Sequence, residues 1–229
     1  MSRQIVLDTE TTGFDFNKGD RIVEIGCIEM IDRKITNNDF HVYINPERSM
    51  PIEAFNVHGL GDEFLADQPL FAEIGQSFLD YVDGAELIIH NAGFDIPFLN
   101  FELQRMGLPK VTERSEVIDT LKLARELYPS QRNTLDALCR RLGVDNSGRE
   151  LHGALLDSEL LAQVYLLMTG GQESLFDDFA PPVISEEIEE ATEQASIQAA
   201  AKATQRKILY ASDSEIAAHE AFIAKIMPK

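Results

Sequence analysis

The sequence predicts an α/β protein with a mixed β-sheet, in which an antiparallel three-strand start is followed by parallel strands, with helices on both faces. Three observations support this prediction. First, the N-terminal part of the chain contains runs of β-forming residues, two of which are joined by a tight turn. Second, short apolar runs then alternate with segments whose apolar residues recur at helical spacing. Third, after Gly170 and Gly171 the chain contains a long segment with few large apolar residues. We therefore expect one domain over residues 1–171, followed by a flexible C-terminal tail.

The strands are predicted from short runs of β-forming residues. The first run covers residues 4–8, and residues 21–30 and 34–45 form two more. The tight turn at 31–33 predicts that these two runs pair as an antiparallel hairpin. Two later apolar runs, at 86–90 and 117–119, are separated by helical segments and complete the sheet.

Helical apolar spacing marks the segments between and after the later strands. Gly84 and Gly107 stand just beyond two of these segments and are typical helix stops. The predicted helices cover residues 69–82, 94–106, 121–127, 134–142 and 154–168.

Charge and cysteine content exclude several classes of protein. The chain has 229 residues and a net charge of −19, from 39 acidic and 20 basic side chains. This excludes a free-standing nucleic-acid binder of the basic-patch kind and a protein held to anionic lipid by charge, but not an enzyme whose bound cations reverse the local field. Cys27 and Cys139 are too few for a disulfide scaffold, so we expect reduced core thiols. The sequence shows no apolar leader or membrane span, and we expect a cytoplasmic protein.

Three groups of acidic and histidine residues are candidates for a catalytic or metal-binding site. Asp8 and Glu10 end the first strand on one face, where two carboxylates repel each other unless a cation lies between them. Asp95 follows a buried strand at the first turn of a helix, and Asp157 interrupts an apolar helix just after His152. Because five helical residues place side chains ~140° apart, we expect His152 on the turn before that helix. Taken singly, the three groups are also compatible with a solvated strand end, an N-cap and a surface histidine.

Together, over residues 4–170, these motifs resemble those of the DEDDh 3′–5′ exonucleases, which have a ribonuclease H-like fold. By that resemblance His152 is the general base, and terminal phosphodiesters of single-stranded DNA 3′ ends are hydrolysed to nucleoside 5′-monophosphates. The resemblance also implies that Glu53 and His58 contact the terminal nucleotide together with the site carboxylates. Oxygen ligands suit two divalent cations, Mg²⁺ or Mn²⁺. The resemblance implies that the metal ions are bound by Asp8, Glu10, Asp95 and Asp157. Of these four carboxylates, Asp8, Glu10 and Asp157 also contact the substrate.

The tail resembles those of family members that proofread for a replicative DNA polymerase. Residues 172–176 are similar to a short motif that binds the β sliding clamp, through Gln172, Ser174, Leu175 and Phe176. Residues 177–206 contain few large apolar side chains and are predicted to be a linker. Apolar residues then recur at helical spacing, and residues 207–229 resemble a segment that docks on the polymerase alpha subunit. In both apolar segments, packing against the protein's own domain is the alternative.

Two other functions compete with proofreading. An RNA-processing exoribonuclease would use the same chemistry, but such enzymes typically lack a clamp motif and a docking tail. A non-catalytic scaffold subunit would not need all five residues of the acidic set and the histidine. We therefore expect a proofreading 3′–5′ exodeoxyribonuclease.

Overall fold

A computed structural model describes residues 2–148 and 151–170 of the chain. Its strands are β1 (Arg3–Thr11), β2 (Ile22–Ile31), β3 (Lys34–Ile35), β4 (Phe40–Tyr43), β5 (Glu86–Ile89) and β6 (Glu116–Asp119). Its α-helices are α1 (Ile52–His58), α2 (Asp62–Ala66), α3 (Phe71–Val82), α4 (Ala92–Arg105), α5 (Thr120–Leu127), α6 (Leu135–Leu142) and α7 (Ala154–Thr169). Short 3₁₀ turns lie at Phe16–Lys18 and Val111–Glu113. Within the described residues, no helix combines the length and apolarity needed to cross a membrane.

The six strands form one mixed sheet in the order β3-β2-β1-β5-β6, with β4 also paired to β2. β1 pairs antiparallel with β2, and β5 pairs parallel with both β1 and β6. This confirms the predicted fold class. The run predicted as one strand over 34–45 is two strands, because the pairing register against β2 changes between them: Met30 opposes Ile35, whereas Cys27 opposes Phe40. The polar residues between β3 and β4 form the irregularity.

Side-chain alternation along β1 builds two apolar layers, one on each face of the sheet. Ile5 and Leu7 pack among residues of α3 and α4, whereas Val6 packs with Leu161 and Tyr165 of α7. Helices therefore cover both faces, as predicted. Cys27 and Cys139 are both buried and free of disulfides, also as predicted. The short helices α1 and α2 lack a strong apolar period and were not predicted as separate elements.

The N-terminus of α7 lies directly on β2 at Gly26. A Cβ atom at this position would overlap the backbone of Ala154 and Leu155. The Gly26 carbonyl also accepts a hydrogen bond of 2.9 Å from the buried Ser158 hydroxyl. Gly26 is the β-ladder partner of Asp8, so this contact brings the start of α7 beside the acidic end of β1.

We predict that Gly26→Ala destabilises the protein by ~2 kcal/mol or more, because backbone atoms on both sides must move to admit the methyl group. Urea denaturation followed by circular dichroism measures the effect. Gly93→Ala is the matched control, since Gly93 lies in the first turn of α4 with open space around its Cβ position. The control should be neutral or slightly stabilising because alanine favours the helix. Equal stability of the two variants would contradict the tight contact.

Candidate active site

Asp8 and Glu10 lie on the face of the sheet that α7 covers, because they alternate with the residues of β1 that point toward α3 and α4. Glu10 is buried with 9% of its surface exposed, and Asp8 is half-buried. The intervening Thr9 points to the opposite face. The paired carboxylates therefore share one side of the strand, as predicted.

His152 stands on the turn before α7, where the sequence places it, with Gly153 as the N-cap residue. Its backbone N–H donates to the Val57 carbonyl at 3.0 Å, which ties this turn to α1. Its side-chain Nδ1 lies 3.2 Å from Oδ2 of Asp157, a buried carboxylate in the first turn of α7. The imidazole and the carboxylate meet because His152 is outside the helix, where the angular separation along the helix does not apply.

Three of the predicted residues form a compact cluster. Ligand atoms of Glu10, His152 and Asp157 all lie within 4.8 Å of one another. Asp8 is outside this group but lines a cleft of about 760 Å³ together with His152 and Asp157. Two carboxylates and an imidazole at this spacing are a donor set that suits a divalent cation.

Asp95 approaches the site from the other face of the sheet. It lies in the first turn of α4, is 2% exposed, and accepts a hydrogen bond of 2.7 Å from the Thr9 hydroxyl. Burial raises the pKa of Asp95 to about 7, and the bond from Thr9 only partly opposes this rise. Asp95 is not a member of the compact cluster, and the Thr9 hydroxyl that donates to it was not predicted as part of the site.

A second cavity of about 440 Å³ lies beside Glu10. Glu53 from the first turn of α1 and His58 from its last turn line this cavity with Phe14 and Phe94. His58 Nδ1 accepts from the Leu60 N–H at 3.1 Å, and burial lowers the pKa of this imidazole, with the Thr11 backbone opposing the shift. Its Nε2 is buried and has no hydrogen-bond partner among the residues that the structure describes. The cavity therefore offers a neutral imidazole to a bound group.

The structure places six of the seven predicted residues of the domain in the lining of two adjoining cavities, whereas Asp95 is buried behind them and bonds to Thr9. Two further residues shape the site without having been predicted: Thr9 donates a hydrogen bond to Asp95, and Gly26 allows the close approach of α7. Three arginines that line the larger cleft were also not predicted: Arg125, Arg132 and Arg140. No local signal in the sequence indicates the Thr9 contact, because its partner Asp95 is 86 residues away in the chain. The clamp-like residues Gln172, Ser174, Leu175 and Phe176, the linker and the docking segment lie outside the described residues.

Comparison with known proteins identifies the family. A family model described as Exonuclease (RNase_T) matches residues 5–165. The DNA polymerase III subunit epsilon of Escherichia coli K12 is 48% identical over 236 residues, covering 100% of this chain and 95% of that protein. The corresponding subunit of Pasteurella multocida Pm70 is 53% identical over 199 residues, covering 85% and 79%. The chain belongs to the exonuclease family of DNA polymerase III epsilon subunits.

Solved structures agree with this assignment. Exonuclease X in complex with 5′ overhanging duplex DNA is 28% identical, with a TM-score of 0.56 and coverage of 73% of this chain and 91% of that one. A structure of exonuclease I is 17% identical, with a TM-score of 0.66, and covers 78% and 43%; it supports the fold. Membership of the epsilon family confirms the predicted 3′–5′ exonuclease and supports the predicted proofreading role.

Asp95 should contribute to the stability of the metal-free protein at low pH, and this contribution should disappear as the pH rises toward neutrality. The raised pKa of Asp95 means that the folded state retains a proton that the unfolded state releases near pH 4. The resulting stabilisation is complete below ~pH 4 and disappears as the pH rises through about 7. In Asp95→Asn this contribution is absent, so we predict a smaller fall in the free energy of unfolding between these pH values.

Urea denaturation in the presence of a chelator measures this difference. Ser77→Ala, which removes an exposed hydroxyl that donates to the Ile74 carbonyl on α3, serves as a control that should retain the wild-type fall associated with Asp95. If wild type and Asp95→Asn show parallel pH profiles, Asp95 does not hold a proton in the folded metal-free state.

Proposed function

We propose that this chain removes 3′-terminal nucleotides from single-stranded DNA as nucleoside 5′-monophosphates, with two Mg²⁺ or Mn²⁺ ions and His152 as the general base. One observation carries the proposal. Glu10, His152 and Asp157 come from two elements far apart in sequence, yet their ligand atoms gather within 4.8 Å of one another beside Asp8. Such a cluster of like charges is costly to assemble unless it binds a cation.

The proposed metal-binding residues are Asp8, Glu10, Asp95 and Asp157. Asp95, which bonds to Thr9 on the opposite face of the sheet, would act from a greater distance than Glu10 and Asp157. When bound, the two cations would activate the attacking water and stabilise the departing 3′ oxygen. Magnesium and manganese both prefer the oxygen ligands that dominate this set.

His152 is arranged to accept a proton. Its side chain is 49% exposed, so water can reach it, and Nδ1 lies 3.2 Å from the buried Asp157 carboxylate. In the neutral imidazole, an Nδ1–H that donates to Asp157 leaves Nε2 as the nitrogen that accepts a proton. Asp157 thereby sets the orientation and tautomer of the base, in addition to its proposed role as a ligand.

The smaller cavity is the proposed site of the terminal nucleoside. Phe14 and Phe94 meet edge to face with ring centroids 6.2 Å apart, and Phe14 is 88% exposed. Aromatic surface at the mouth of a cavity suits a nucleobase, and Glu53 and the Nε2 of His58 provide polar partners for the sugar. With the nucleoside placed here, the adjoining phosphate falls next to Glu10.

Proofreading also requires delivery of this enzyme to the polymerase. The full-length match to DNA polymerase III epsilon subunits supports association with a polymerase core and with DNA. We propose that residues 207–229 dock on the polymerase alpha subunit and that Gln172, Ser174, Leu175 and Phe176 bind the β sliding clamp. Tethering would raise the local concentration of a strongly acidic chain at the primer end. A cytoplasmic location accords with this role.

Two substitutions should separate a metal ligand from the general base. Asp157→Ala should abolish both Mn²⁺ binding, measured by calorimetry, and hydrolysis of a single-stranded oligonucleotide. His152→Ala should lower kcat by ~10²–10⁴, the usual share of general acid–base catalysis, while the variant still binds metal. The pH dependence of the residual rate in His152→Ala should lack the wild-type fall at low pH.

His41→Ala is the matched histidine control. His41 pairs with Glu24 at 2.8 Å on the paired strands β4 and β2, and it lines neither cavity. This control should retain wild-type turnover. Near-wild-type cleavage by Asp157→Ala would refute its role as a ligand, and an unaltered pH profile in His152→Ala would assign the proton to another group.

The two tail segments should act as separable anchors. Leu175→Ala combined with Phe176→Ala should abolish clamp binding, because an apolar anchor in a pocket carries most of the affinity of a short motif. Truncation after Gln205 should instead prevent copurification with the polymerase. Both proteins should still hydrolyse a short oligonucleotide, since the proposed metal site lies in the domain. A truncated chain that still copurifies with the polymerase would place the docking surface on the domain.

A further inference from the structure

Three arginines are among the residues that line the larger cleft. Arg125 lies on α5, Arg140 lies on α6, and Arg132 lies on the loop between these helices. All three are exposed, and they line the same cleft as Asp8, His152 and Asp157. The cleft therefore combines three guanidinium groups with the carboxylates of Asp8, Asp136 and Asp157.

These arginines differ from most of the other arginines in residues 2–148 and 151–170. Arg3, Arg21, Arg48 and Arg114 each have a carboxylate within 4.0 Å. Over residues 2–148 and 151–170, none of the three cleft arginines forms a salt bridge with a carboxylate. In a chain with 39 acidic and 20 basic side chains, acidic partners are abundant. Three arginines left without them around one cleft form a site that attracts an anion.

The position of the cleft indicates which anion it takes. The two cavities share no lining residue and adjoin at the acidic cluster, since His152 and Asp157 line the larger one and Glu10 lines the smaller. The smaller cavity, at about 440 Å³, suits one nucleoside, and the larger, at about 760 Å³, is open to solvent. A strand whose last nucleoside occupies the smaller cavity, with its scissile phosphate at the cluster, continues into the larger cleft.

We propose that Arg125, Arg132 and Arg140 bind backbone phosphates of the nucleotides that lie 5′ of the scissile bond. The inference rests on the proposed function and extends it to the substrate strand upstream of the reacting phosphate. Guanidinium groups match phosphate oxygens in geometry and remain charged at every working pH. The contacts read no base, so they hold any frayed 3′ strand and partly offset the repulsion between DNA and an acidic domain.

The experiment compares two substrates that share the reacting group. A single-stranded oligonucleotide of several residues carries upstream phosphates, whereas the 5′-p-nitrophenyl ester of dTMP carries a phosphodiester and a terminal nucleoside but no upstream strand. The variant is the triple substitution Arg125→Gln, Arg132→Gln and Arg140→Gln, together with its three single substitutions. The ratio of kcat/KM for the oligonucleotide to kcat/KM for the ester isolates the upstream contacts.

The matched control removes the same amount of charge elsewhere. It combines Lys34→Gln, Lys110→Gln and Arg114→Gln, which are exposed residues that line neither cavity at the acidic cluster. In the arginine triple variant we expect the substrate ratio to fall at least ~tenfold, mainly through KM of the oligonucleotide. We also expect the slope of log(1/KM) against log salt to become shallower by ~0.7 per arginine removed. The control should keep the wild-type ratio and slope.

The outcomes separate this proposal from the proposed function. If the arginine variants keep the wild-type ratio and salt slope while the wild-type enzyme cleaves both substrates, the upstream site is wrong and the exonuclease assignment stands. If the control triple lowers the ratio as much as the arginine triple, the effect comes from net charge and the site is again wrong. If wild type with Mg²⁺ or Mn²⁺ cleaves neither substrate, the proposed function itself fails.

Discussion

The close contact between α7 and β2 at Gly26 is the constraint on which the site depends. Because Gly26 has no side chain, the backbone of Ala154 and Leu155 can lie against the sheet opposite Asp8. This placement carries His152 and Asp157, at the start of the helix, to the acidic end of β1. The Ser158 hydroxyl bond to the Gly26 carbonyl fixes the helix at that point. A helix held farther away by one methyl group would separate the two halves of the cluster.

Electrostatics explains why such a site favours a cation. Two carboxylates within 4.8 Å, as Glu10 and Asp157 are, repel each other by ~3 kcal/mol at an effective dielectric constant of ~20. That repulsion is a sizeable share of the ~5–15 kcal/mol that stabilises a typical domain. Asp95 shows a second response to the same problem, since burial raises its pKa to about 7. Bound divalent cations would relieve both costs, so the charge arrangement and the proposed chemistry have one physical origin.

The two cavities are proposed to bind different parts of the substrate, one through a largely apolar surface and the other through a charged one. Phe14, Phe94 and the buried imidazole of His58 suit the flat, partly polar terminal nucleoside, whereas the arginine-lined cleft suits the charged strand behind it. The acidic cluster between them is where the scissile phosphate would lie. A net charge of −19 limits binding of free DNA, so local arginines and a tether to the polymerase are complementary ways to position the strand.

Local patterns in the sequence were sufficient for the fold class, and they singled out Glu10, His152 and Asp157 as candidates, which the structure brings together. Strand alternation placed Asp8 and Glu10 on one face, and the helical angle between His152 and Asp157 correctly put His152 on a turn. Element bounds were less accurate, because pairing with β2 rather than local propensity splits the run over 34–45 into β3 and β4. The short helices α1 and α2 have too little apolar period to be recognised.

What the tertiary structure alone decided are contacts between residues distant in the chain. The Thr9 bond to Asp95 joins two faces of the sheet, and the fit of α7 on Gly26 joins positions more than a hundred residues apart. Arg125, Arg132 and Arg140 have no shared local pattern, and only the packing of α5 and α6 against α7 gathers them at one cleft. The periodicity of a local segment indicates which face of its strand or helix a side chain occupies. The residue that it contacts on that face depends on the tertiary packing of segments that are distant in the sequence.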